Sequence, residues 1–175
     1  MVLRERDPQF DLPKEERHLA SIHGKELQYS GLLRVGIAET LALLGSYPEA
    51  LTCCSMGKPE ATAKLVVRDL LKEADWERWA SLNDLLPALA EAAPDEFLNA
   101  VENALKDLSE SPFHHVFAQE GKGPFGRNYM TGLLWALEGL AWSPDYLPRA
   151  SLILADLAAI DPGGNWGNRP KNSLV

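Results

Sequence analysis

A Leu/Ala-rich run, then a proline followed by an acid, then another apolar run: this pattern occurs three times and constrains the fold more than any other feature of the chain. Leu41-Ala42-Leu43-Leu44 precedes Pro48-Glu49, Leu85 to Ala93 precedes Pro94-Asp95, and Leu133 to Trp142 precedes Pro144-Asp145. Proline ends one helix but is accepted in the first turn of the next, where an acid also meets the positive end of the helix dipole. The three prolines stand 46 and 50 positions apart, a period expected of stacked pairs of antiparallel helices. The expected class is therefore all-α, with stacked antiparallel helical hairpins forming an α-α superhelix; a single irregular helical bundle is the alternative.

Apolar spacing places the individual helices. From Ser30 to Gly45, Leu33, Ile37, Thr40, Leu41 and Leu44 fall on one helical stripe. After Gly57, Ala63, Val66, Val67, Leu70 and Ala74 mark a second amphipathic helix. A turn at Asp75 leads into Trp76 and Trp79, which share a face at i, i+3. Asn83 or Asp84 caps a helix to Ala93, and its partner from Pro94 carries Phe97, Val101, Ala104, Leu105 and Leu108 on one side. The final pair runs from about Tyr129 to Trp142 and from Pro144 to about Ile160. Leu85, Leu86, Ala88 and Leu89 align with Leu133, Leu134, Ala136 and Leu137 at a shift of 48, and Phe97, Leu98, Leu105, Asp107 and Leu108 with Tyr146, Leu147, Leu154, Asp156 and Leu157 at a shift of 49. Residues 1–13 read as an extended arm, 14–162 as the helical-repeat domain with a first short helix from Lys14 to about Ile22, and 163–175 as a turn-rich tail leading into a longer parent chain.

These helix-Pro-acid-helix units, across roughly Ser30 to Ile160, resemble the α-solenoid class that includes HEAT and armadillo arrays. Leu89 to Leu98 and Leu134 to Trp142 are also similar to helical middle regions of large uncharacterised bacterial proteins, some of which couple an NTPase to such an array. That resemblance implies a sensing or scaffolding role and carries no catalytic motif with it.

Composition narrows the function classes. A net charge of -8 with only 17 Lys and Arg, scattered along the chain, weighs against nucleic acid as a partner, because phosphate neutralisation needs a concentrated basic face. No apolar run approaches the roughly 20 residues of a bilayer span, and the N-terminus lacks a signal-peptide core; the expected location is cytoplasmic. The adjacent Cys53 and Cys54 read as buried or half-buried thiols of a reducing compartment. They fall short of a zinc site, which needs about four ligands, so neither metal nor cofactor is expected.

Two sets of residues are candidates for a site. The long connection from Ser109 to Tyr129 holds His114-His115 and a glycine-rich stretch in which Lys122 and Arg127, with His115, could meet an anion just before a helix N-terminus. Its spacing does not match a phosphate-binding P-loop, and no nucleophile or oxyanion donor completes a catalytic set. The tryptophans form the second set. Trp76, Trp79, Trp135 and Trp142 lie in apolar helical stripes and read as core, and the helix from Met130, apolar almost all round, reads as covered on several sides. Trp166, flanked by glycines, reads as exposed and suited to a partner, with Arg169, Arg68 and Arg78 as further contacts. The favoured function is a non-enzymatic protein-interaction or scaffolding module whose partner is another protein or other domains of the same parent chain. The alternative is a small-molecule or anion-binding unit centred on the 109–129 loop.

Overall fold

The structure, a computed structural model, describes residues 2–119, 128–164 and 166–174. It is all-α, with no strand among the described residues. The helices are α1 (Gly31–Ser46), α2 (Lys58–Leu71), α3 (Trp76–Ser81), α4 (Leu86–Ala92), α5 (Pro94–Ala104), α6 (Pro112–Ala118), α7 (Thr131–Ala141) and α8 (Leu147–Ile160). Their starts follow from local chemistry. The Ser30 hydroxyl accepts the Leu33 N–H at 3.2 Å, Asp75 accepts the Arg78 N–H at 2.8 Å, and Ser111 accepts the Phe113 N–H at 3.4 Å; each satisfies a donor the helix itself leaves free. Pro59, Pro87, Pro94, Pro112 and Pro148 occupy first turns, where the missing N–H costs nothing.

The helices form two layers. In one, α4 packs between α1 and α7; in the other, α5 touches both α2 and α8. Within each pair α1 meets α2, α4 meets α5 and α7 meets α8, while the short helices α3 and α6 pack on each other. This arrangement is compatible with a helical repeat. A continuous core runs through it: Trp79, Phe97, Phe113, Phe117, Leu86, Leu89, Leu98, Met130, Leu133, Leu134 and Leu137 are all fully buried. Trp79 lies edge-on to Phe97 with centroids 6.3 Å apart and contacts Phe113 at 5.1 Å. Two glycines set how closely neighbouring pairs approach. A Cβ on Gly45 of α1 would stand 1.9 Å from the Ala92 carbonyl oxygen at the end of α4, and one on Gly132 of α7 would stand 1.7 Å from the Asn83 carbonyl oxygen.

Several expectations are corrected. The α1 stripe is rotated: the helix buries Arg34, Ala38, Leu41 and Ala42, whereas Leu33 and Thr40 are exposed, because α4 accepts the small-residue side of α1. Residues 2–13 are not extended but wind through two 3-10 turns, Val2–Arg4 and Pro8–Asp11, with Leu3, Gln9 and Phe10 buried. The expected helix from Lys14 is a series of turns around a 3-10 segment, Arg17–Leu19. The 109–129 connection contains α6, which buries Phe113, Val116 and Phe117. Pro48-Glu49 and Pro144-Asp145 open a 3-10 turn and a plain turn, and α8 begins at Leu147. The tail folds back, its turn Pro170–Asn172 packing on α8. No helix among the described residues is long and apolar enough to cross a membrane.

Candidate functional site

The residues singled out in the sequence do not gather at one place. Lys122 and Arg127 lie outside the described residues. His115, on α6, is exposed, and its ring tilts against Trp76 at 6.4 Å; neighbouring His114 hydrogen-bonds the Leu108 carbonyl oxygen through Nε2 at 2.6 Å, which ties down the start of α6. Arg169 is 4 % exposed and ion-paired with Asp161 at 2.8 Å. Its guanidinium holds the tail to the end of α8, and an exposed contact role does not fit that position. Trp166 beside it is half-buried. Arg78 is half-buried and donates to the Arg4 carbonyl, so it too serves the internal structure. Arg68 is exposed.

Arg68 lies on the rim of a cleft of about 1000 Å³ between the C-terminal halves of α2 and α5. Lys72, Asn99, Asn103 and Lys106 share its rim, and Trp79 lies at its inner side. The Trp79 indole N–H is buried and has no hydrogen-bond partner among the described residues. Beside the cleft, Arg149 of α8 donates to Glu102 through both Nε and Nη2 at 2.9 Å, to Asp95 at 3.0 Å and to Asn99 at 2.8 Å. This fork-shaped pairing fixes α8 on α5, and the Glu102 carboxylate holds the Arg149 guanidinium more firmly protonated than usual.

The outward edge of α7 carries a different kind of surface. Trp135 and Trp142, expected in the core, are 58 % and 89 % exposed. Seven residues apart, they fall within about 20° of each other around the helix and roughly 10.5 Å apart along it. The opposite side of α7 presents Leu133, Leu134, Leu137 and Leu140 to α4 and α8. Because α7 stands at one end of its layer, with α4 beside it, no helix among the described residues covers the second side. Glu138 is half-buried on the same helix, and Asp145 is exposed just beyond it. The spacing Trp135–Trp142 was the available signal, masked by a helix that is apolar in nearly every direction.

At the mirrored position, α1 exposes Leu32 and Leu43, and Tyr47 is exposed at its C-cap. The loop after α1 presents Cys53 and Cys54, which are exposed rather than buried, with their sulfurs 4.0 Å apart. Among the described residues no group of three or more His, Cys, Asp or Glu side chains is placed to hold a metal ion. No protein-family model, no curated protein and no solved structure matches this chain.

Proposed function

We propose that this chain is a helical-repeat interaction module of the HEAT/armadillo kind, working in the cytoplasm without a reaction of its own, and that it docks a protein partner through the Trp135–Trp142 edge of α7. The observation that carries the reading is the pair of exposed indoles, one on α7 and one at its C-cap. Aromatic side chains of this size dominate interface energetics when a partner covers them. The helical scaffold fixes the backbone that carries both rings, so docking orders little beyond the side chains themselves. Glu138 and Asp145 beside the rings, together with the net charge of -8, favour a partner segment that offers apolar side chains flanked by lysine or arginine.

The test is site-specific photocrosslinking in the cell of origin, with a benzophenone side chain placed at 135, at 142, or at the exposed arm position Ile22 as control. The expected result is one and the same protein adduct from 135 and 142 and none from 22. Adducts that are absent from both α7 positions, or that match the control, would remove the basis for the proposal.

A further inference from the structure

We propose that Cys53 and Cys54, with Met56 as a third donor, form a surface site for a single Cu(I) ion. The loop between α1 and α2 is built from two successive turns: the Cys54 N–H donates to the Leu51 carbonyl at 3.0 Å and the Lys58 N–H to the Ser55 carbonyl at 3.0 Å. The first turn brings adjacent thiols to one side of the chain, although neighbours in an extended segment would point apart. Gly57, at φ +75°, then turns the chain into α2.

The distance between the sulfurs selects the chemistry. At 4.0 Å they are far beyond the ~2.05 Å of a disulfide. Two thiolates each about 2.3 Å from a common ion and separated by a trigonal angle of about 120° stand about 4.0 Å apart. The donor set selects the ion. No third His, Cys, Asp or Glu joins the pair among the described residues, whereas Zn²⁺ in a structural site takes four such ligands. Met56, two residues on and fully exposed, adds a thioether. Soft thiolate and thioether donors in low number suit Cu(I). All three side chains are open to solvent, so an ion reaches them without any opening of the fold. In the metal-free protein one thiol of the pair donates its hydrogen to the other sulfur. A soft cation takes the place of that proton. Binding releases the protons of both thiols to solvent and forms two Cu–S bonds; copper enters and stays as Cu(I), so no electron changes hands.

The experiment uses the full chain under anaerobic conditions, with Cu(I) supplied as its coloured bicinchoninate complex and ascorbate present. The wild type is expected to withdraw one equivalent per chain and remain at its original mass by light scattering. C53S and C54S should each bind more weakly by more than the roughly 10- to 100-fold that changes outside the ligand shell cost, and M56L by about 10-fold. The loop is exposed, so all variants should melt with the wild type, which the same samples verify. A C53S/C54S double variant that competes as well as wild type overturns the site. One copper per two chains with a doubled mass overturns an intrachain site, and an unchanged M56L overturns the third donor.

Discussion

Arg34 lies on the inner face of α1 at 5 % exposure, its Nη2 donating to the Ser81 carbonyl at 2.9 Å and its Nε without a partner among the described residues. Burial pushes its pKa down, against the pull of Glu5, Asp7 and Asp84. A buried charge held by one direct hydrogen bond contributes little net stability, but its aliphatic stem fills space. Arg34→Met keeps the stem and should cost no more than about 1–2 kcal/mol for the unpaired carbonyl; Arg34→Ala also opens a cavity and should cost about 2–4 kcal/mol. Urea unfolding of both variants checks this, and equal losses would contradict it. On α7 the contrast is between near neighbours. Leu137 is fully buried and Trp135 faces solvent, so Leu137→Ala should cost about 2–5 kcal/mol, whereas Trp135→Ala should stay within about 1 kcal/mol. A loss below half a kcal/mol at Leu137 would refute its buried role. The sequence pattern resolved Leu137 but not Trp135, because on a helix with apolar side chains in every direction periodicity no longer says which side is covered. Buried Arg34 was illegible for the opposite reason: its type points outward, and only the Ser81 carbonyl, 47 positions away, brings it in.

Helix starts were legible at Ser30, Asp75 and Pro94, where a proline or a capping side chain stands just before an apolar period. The same signal stands at Ser111-Pro112, followed by Phe113, Val116 and Phe117 at helical spacing, but the glycine-rich sequence after it makes the whole segment read as a loop and hides α6. What no single-helix pattern reveals is how closely two helices meet, and here glycine decides. Gly45 and Gly132 each take the place where a neighbouring backbone carbonyl approaches, and the Gly132 N–H also donates to the Asn83 side chain at 2.9 Å. Because the obstacle is backbone rather than a flexible side chain, Gly45→Ala and Gly132→Ala should each cost about 3 kcal/mol, the upper part of the overpacking range. Gly36→Ala, with nothing within 4 Å of the added carbon, should be neutral or stabilising, since alanine favours the helix. Thermal melts of the three variants separate these outcomes, and a Gly45→Ala melt equal to that of Gly36→Ala would show that α1 and α4 do not meet as described. The candidate site was the least legible part. Its exposed rings depend on which helix ends the layer, a property of the stacking order rather than of any segment.

At the scale of the whole molecule, residues 2–29 act as a strap across helices that do not all touch one another. Arg4 pairs with Asp69 of α2 at 2.5 Å, Arg6 grips Glu77 of α3, and Lys14 reaches the Ala118 carbonyl of α6 at 2.6 Å. Between them Phe10 packs edge-on against Trp76 at 5.2 Å and Tyr129 at 5.3 Å, under the Arg17 guanidinium at 5.1 Å, and buried Gln9 accepts from the Tyr129 hydroxyl at 3.1 Å. Stacked helical pairs touch only their neighbours and tend to unfold piecewise; a strap anchored on α2, α3 and α6 couples the unfolding of these helices. The ion pairs give that coupling a pH dependence of definite sign. Hydrogen bonds from Arg6 hold the Glu77 carboxyl below its ordinary value, and those from Lys25 and Arg6 do the same for Asp11. A carboxylate depressed on folding stabilises above its unfolded value of about 4 and loses that contribution as pH falls through its folded value. Arg6 itself, shifted upward, stays charged throughout and adds no dependence. Wild type should therefore melt above Arg6→Met at pH 7, by the equivalent of at most about 1 kcal/mol because the pair is partly exposed, and the two melting curves should converge as pH falls from 5 toward 3. A difference that persists unchanged at pH 3 would assign the effect of Arg6 to packing of its stem rather than to its ion pairs with Glu77 and Asp11.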